Sequence, residues 1–217
     1  MIRILNNWKK NQDSAKPLLV LLNTSGGGHR SATFTFSMLQ QLDSLTGGKM
    51  MKKIFLINGA SGGMIGATYF RELYLQRVKG KPINVRDSRY SEDIASDVLN
   101  PVFSSFVARD LIAPAQKFKV NNYTYVKDRG YAFEEKLNMN TRGFLNKQLK
   151  DYAADEKEAN IPLMFYNSVV TRDSRKLIIS TQPVSFMMQG WQDTTRLPFM
   201  DPDVIDFASF FAKQDPY

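Results

Sequence analysis

The pentapeptide Gly59-Ala60-Ser61-Gly62-Gly63 has the G-x-S-x-G spacing of a nucleophile elbow. Small residues on both sides let a strained turn lift the serine oxygen clear of the backbone at the start of a helix. The helix N-terminus then offers unpaired amide donors and a positive dipole end to a developing oxyanion. Gly26-Gly27-Gly28 supplies a second part, because backbone free of side chains can point several amides at one oxygen. Acyl transfer needs both: a hydroxyl to attack the carbonyl, and donors for the tetrahedral oxyanion, worth about 3 to 4 kcal/mol for a single one. The same residues also suit a different chemistry. Gly59 and Gly63 fit the start of a dinucleotide fingerprint, TGxxxGxG, whose last glycine belongs where Ile65 stands; Gly66 falls one residue late. A YxxxK pair, Tyr123 and Lys127, follows that turn too closely and lies in a strand-like segment.

The elements around the two turns are legible. The run KPLLVLLN (16–23) reads as a strand buried on both faces, and IFLIN (54–58) as another. Ala32, Phe36, Leu39 and Leu42 recur at helical spacing after the first turn, TGGKMMKK breaks that helix, and a second helix starts at Gly62. Strand, glycine turn and helix, repeated, predict an α/β fold with a mainly parallel central sheet. Further on, KFKVNNYTYVKD predicts a hairpin around Asn121-Asn122 whose alternation of basic and aromatic residues is that of an amphipathic strand pair. Phe144, Leu145, Leu149, Tyr152 and Ala153 predict one helical face. The segment 161–184 predicts two strands around TRDSRK. Asp201 as N-cap and Pro202 as first residue predict a last helix with Val204, Phe207, Ala208 and Phe211 on one side. Asn58 reads as a turn residue. We expect one domain over 1–217, with an N-terminal extension at 1–15 and a variable insert of helices and hairpin at 80–160.

Composition narrows the chemistry. The chain has no cysteine, which excludes disulfides, a thiol nucleophile and thiolate metal sites. His29 is the single histidine, so a histidine-rich metal site is excluded, and no metal is expected. An α/β-hydrolase triad places its histidine after the serine, and none follows Ser61. His29 therefore reads as structural or as a wall of the glycine loop. The formal charge of +8 favours anionic partners. With no apolar run of membrane-spanning length and no secretory pattern, the expected location is the cytoplasm or the periphery of a membrane.

SGGGHRSA followed by INGASGGMIGATYF resembles the patatin-like phospholipase family, and the SGGGxR form is similar to that of cytosolic phospholipases. The similarity covers residues 16–75, and more loosely the strand pair of 161–183. It implies a three-layer α/β sandwich and a lipid acyl hydrolase with a Ser–Asp dyad, without cofactor. On that resemblance Ser61 is the nucleophile, Gly26, Gly27 and Gly28 form the oxyanion hole, and Gly59 and Gly63 are the elbow glycines. Arg30 matches the arginine associated with the substrate phosphate; on the residues alone it binds a phosphate or pairs with a carboxylate. The expected partners are an acyl-ester lipid and an anionic membrane surface, with no nucleic acid. One part of the family pattern is missing: no D-G-[GA] or D-A-G tripeptide occurs. Asp173, Asp193, Asp201, Asp203 and Asp206 read as solvated or capping residues, so the dyad aspartate is expected beyond Tyr217, in a longer parent protein. A nucleotide-binding oxidoreductase and a non-catalytic lipid-binding module are the alternatives.

Overall fold

The computed structural model describes residues 1–112, 116–120, 122–188 and 204–211. The chain separates into two compact units, one made of Met1–Arg86 and Lys147–Tyr217 and the other of Asp87–Asn146. The first unit opens with α1 (Ile2–Lys10), then β1 (Val20–Thr24), α2 (Gly28–Leu45), the short α3 (Met50–Lys53), β2 (Ile54–Gly59) and α4 (Ser61–Val78). The second contributes α5 (Ser88–Ala95), α6 (Leu99–Ser105), a π-helix (Phe106–Ile112), β3 (Lys117–Val120), β4 (Tyr123–Val126) and α7 (Arg129–Asn140). The first unit resumes with a 3-10 turn (Leu149–Tyr152), α8 (Ala153–Lys157), β5 (Leu163–Val169), β6 (Lys176–Ile179), β7 (Val204–Asp206) and α9 (Phe207–Phe211). No helix among the described residues is long and apolar enough to cross a membrane.

Five strands form one sheet in the order β1-β2-β5-β6-β7. β1, β2 and β5 run parallel, β5 and β6 antiparallel, and β6 and β7 parallel. The fold is thus α/β with a mainly parallel mixed sheet, as the alternation of strands and glycine turns predicts. Leu22, Ile57 and Met164 stand in register on one face. α4 packs on that side, where the Thr68 hydroxyl reaches Met164 Sδ at 3.7 Å. α2 lies against α4, and Phe36 stacks on Tyr69 at 5.2 Å and meets Phe70 edge-on at 5.7 Å. All three rings are fully buried, each worth about 1.5–3 kcal/mol of removed apolar surface.

Three expectations are corrected. The first strand is not buried on both faces. β1 is at the edge of the described sheet, and Leu18 and Leu21 remain 66 % and 58 % exposed because only the side facing α4 is covered. The helix expected through Phe144, Leu145, Leu149, Tyr152 and Ala153 forms only from Leu149 onward, as the 3-10 turn and α8, and does not include Phe144 and Leu145. Positive φ at Arg142 (55°) and Gly143 (76°) turns the chain after α7, and the Gly143 amide closes that end on the Asn138 carbonyl at 2.7 Å. The apolar residues then serve separate cores: Phe144 packs edge-on against Tyr90 in the second unit, and Tyr152 lies under Arg71 in the first. Val204 belongs to a strand rather than the last helix, since pairing with β6 claims Val204–Asp206. Asp206 does the capping instead, accepting from the Ala208 amide at 3.1 Å and the Ser209 hydroxyl at 3.1 Å. Asp201 and Pro202 lie outside the described residues. The hairpin at 117–126 and the strand pair at 163–179 form as expected, and α1 occupies part of the expected N-terminal extension.

Charge is buried inside this unit. Arg71 and Glu156 are wholly enclosed and form an ion pair, with Arg71 also donating to the Pro162 carbonyl at 3.0 Å and lying 4.6 Å from the Tyr152 ring centroid. Burial pushes the Glu156 carboxyl above its usual range, with Arg71 and the Thr181 hydroxyl pulling it back. The pair ties α8 and the start of β5 to the middle of α4. Removing one partner strands a charge, so Glu156→Ala should lower stability by about 3–5 kcal/mol in urea unfolding. Arg71→Met with Glu156→Leu should recover most of that loss; a single variant that unfolds like the parent would contradict the pairing.

Candidate active site

Both glycine turns sit at the C-terminal ends of adjacent parallel strands, because Thr24 is the register partner of Gly59. What brings them closer than ordinary packing is the lack of side chains. A Cβ at Gly59 would fall within 3.0 Å of the Thr24 hydroxyl and carbonyl, one at Gly63 within 3.0 Å of the Ser25 carbonyl, and one at Gly62 within 3.0 Å of the Gly28 carbonyl. One turn further, a Cβ at Gly66 would meet the Ala32 carbonyl in the same way. The first two turns of α4 therefore lie flush on the turn between β1 and α2. Gly26 is the glycine facing the serine: a Cβ there would stand 3.3 Å from Ser61 Cβ and 3.9 Å from Ser61 Oγ. The Ser31 hydroxyl closes the glycine loop on the Ser25 carbonyl at 2.7 Å.

Ser61 adopts φ +54° at the first residue of α4, directly after the extended Ala60, and its side chain is exposed. A non-glycine residue in left-handed backbone is held there by its surroundings at a cost of order 1–3 kcal/mol. Among the described residues its hydroxyl makes no hydrogen bond. Gly27 and Gly28 have φ of 148° and 62°, conformations that an L side chain rarely adopts. Neither α2 nor α4 has a side-chain cap, so the first amides of both helices are unclaimed by a capping group. An exposed hydroxyl thus stands beside a glycine loop where two helix N-termini converge, a geometry that suits a nucleophile and an anion together.

The structure brings together Ser61, Gly26, Gly28, Gly59 and Gly63 as the sequence predicts, with Gly27 between two of them. Arg30 is exposed in the first turn of α2 and makes no ion pair among the described residues, so the carboxylate pairing weighed for it is not found. The His29 side chain is partly buried, its Nε2 without a hydrogen-bond partner among the described residues. Asp173 is a solvated turn residue whose carboxyl is held below its usual range by hydrogen bonding from Arg175. Asp206 is committed to the Val184 amide at 3.0 Å and to its capping contacts. Asp193, Asp201 and Asp203 lie outside the described residues.

Sequence reasoning missed a support under the elbow. Asn58 is a strand residue, not a turn residue, and belongs to a row of amides across three strands. Its Nδ2 donates to Asn23 Oδ1 at 2.9 Å, while Asn167 Nδ2 donates to Asn58 Oδ1 at 2.8 Å and to the Gly59 carbonyl at 3.1 Å. The last bond pins the backbone two residues before Ser61. The signal available was the repeat of Asn at the ends of LLN and LIN, which the parallel register of β1 and β2 sets side by side.

Gly62→Ala should be among the most damaging small substitutions in the chain, because the new methyl group meets backbone that has nowhere to move. A loss of about 3 kcal/mol or more in urea unfolding is expected, at or above the usual range for overpacking. Gly130→Ala, where the nearest atom is a side-chain oxygen of Asp128 at 3.1 Å, should cost far less. Equal stabilities of the two variants would contradict the close approach of the turns.

Set against known proteins, the chain matches no protein-family model, no curated protein and no solved structure.

Proposed function

We propose that this protein is a serine acyl hydrolase of patatin type, a three-layer α/β enzyme acting on acyl esters of lipids. The observation that carries the reading is the exposed Ser61 hydroxyl, on left-handed backbone at a helix N-terminus, beside the glycine loop. Ser61 Oγ attacks the ester carbonyl, and its proton passes to a carboxylate base. The amides of Gly27 and Gly28 hold the negative charge of the tetrahedral intermediate, which re-forms the carbonyl and expels the alcohol as the protonated base returns its proton to the leaving-group oxygen. Water then attacks the acyl-serine by the same route and releases the fatty acid. Arg30, cationic and unpaired among the described residues at the mouth of the loop, suits a phosphate on the substrate. The charge of +8 suits approach to an anionic lipid surface.

The base is an aspartate in the dyad chemistry that the motifs resemble. No described carboxylate bonds to Ser61, and the D-G-[GA] turn does not occur in the 217 residues. The proposal therefore assigns the base to an aspartate outside the described residues. Hydrolysis of p-nitrophenyl butyrate by the protein should be abolished by Ser61→Ala; turnover that survives the substitution would contradict Ser61 as the nucleophile.

Nucleophile and oxyanion loop are tested together by a fluorophosphonate probe at high concentration. Mass spectrometry should place the adduct on Ser61, with none in Ser61→Ala. Gly26→Ala, whose methyl group crowds the serine without demanding positive φ, should slow labelling by roughly ten-fold or more while the protein stays folded. An adduct distributed over other serines, or labelling indifferent to Gly26→Ala, would defeat the reading.

A further inference from the structure

The second unit contains a cavity of about 460 Å³, a size at which small-molecule sites are found. It lies between α6, the π-helix that continues it, and α7, and Pro101, Ala108, Ala132 and Met139 give it largely apolar walls. Two of the residues lining it carry buried polar atoms that have no partner among the described residues. Ser105 is only 5 % exposed, and its hydroxyl has no hydrogen-bond partner among the described residues. The Nη1 of Arg109 is likewise buried and unpartnered. Native interiors leave few such atoms, and an unmet buried donor costs about 1–3 kcal/mol, more when it is charged. Two of them on one cavity wall, on either side of the change from α-helix to π-helix, need a common explanation. π-Helical segments are frequent at functional sites.

The donors define what would satisfy them. A guanidinium offers only N–H groups, and a serine hydroxyl can donate as well, so the missing group is an acceptor. Arg109 and Lys136 bring two cations to the cavity and Glu135 one carboxylate, a balance that suits a monoanion better than a dianion. A carboxylate matches the planar fork of arginine. The apolar walls suit a hydrocarbon tail behind it. We infer that the second unit binds a monocarboxylate with an apolar tail, its head group held by Arg109 and Ser105. This site lies wholly within Asp87–Asn146 and shares no residue with the serine and glycine turns.

Isothermal calorimetry on the 217-residue protein with sodium octanoate tests it. Saturable binding is expected, unchanged in Ser61→Ala. It should weaken by about ten-fold or more in Arg109→Gln, the loss of one charge-assisted hydrogen bond, and by a smaller factor in Ser105→Ala. Octan-1-ol, which has the tail without the charge, and inorganic phosphate, which has charge without the tail, should each bind far more weakly. If Arg109→Gln does not fold by circular dichroism, Ser105→Ala decides, since it removes one oxygen and adds no bulk. The inference is overturned if octanoate gives no saturable binding, or if binding is indifferent to both wall residues. It is equally overturned if binding is lost in Ser61→Ala, or if either control ligand binds as tightly as octanoate.

Discussion

Everything near the serine depends on how closely two turns of backbone approach each other. Gly59, Gly62, Gly63 and Gly66 line the side of β2 and α4 that meets β1 and α2, and at each a Cβ would fall within 3.0 Å of backbone or side-chain atoms of the neighbouring elements. The contact is van der Waals in character, and its strength lies in the sum of many small attractions that only side-chain-free backbone permits. Register sets it up, since Thr24 and Gly59 are partners across the parallel pair. The aromatic cluster of Phe36, Tyr69 and Phe70 then holds α2 and α4 together further along.

From that approach the chemistry follows with little additional machinery. The glycine loop cannot lie against α4 without placing Gly26 beside Ser61, and α4 cannot begin at Ser61 without unsatisfied amides at its N-terminus. The φ of +54° at Ser61 is the cost of directing the hydroxyl outward, and the bond from Asn167 to the Gly59 carbonyl helps to hold the turn that imposes it. The positive dipole ends of α2 and α4 add to the same local field. A nucleophile and an oxyanion hole on two such turns share one rigid support, which is what preorganised stabilisation of a transition state requires.

How much of this was legible in the sequence divides along the range of the interactions. The turns, the helices after them and the strand pair at 163–179 depend on neighbours within a few residues, so glycine, serine and apolar spacing suffice to read them. The row Asn23, Asn58 and Asn167 depends on the alignment of three strands, and in one dimension each looks like an ordinary turn residue. Arg71 and Glu72 look like the solvated face of a helix, yet both are wholly buried because α4 is covered on nearly every side. The apolar residues from Phe144 to Ala153 have helical spacing by coincidence, since the chain passes from the second unit to the first between Asn146 and Lys147, leaving Phe144 with Tyr90 and Tyr152 with Arg71. The described last helix is capped by Asp206, which sequence spacing alone does not single out because Val204–Asp206 is drawn into the sheet by pairing with β6.

The most direct test of the central claim is a crystal structure of the protein carrying a phosphonyl group on Ser61. The account predicts that the phosphonyl oxygen accepts hydrogen bonds from the Gly27 and Gly28 amides at about 2.7–3.1 Å. A phosphonyl oxygen directed into solvent, with both amides turned away from it, would contradict the shared site on which the proposed chemistry rests.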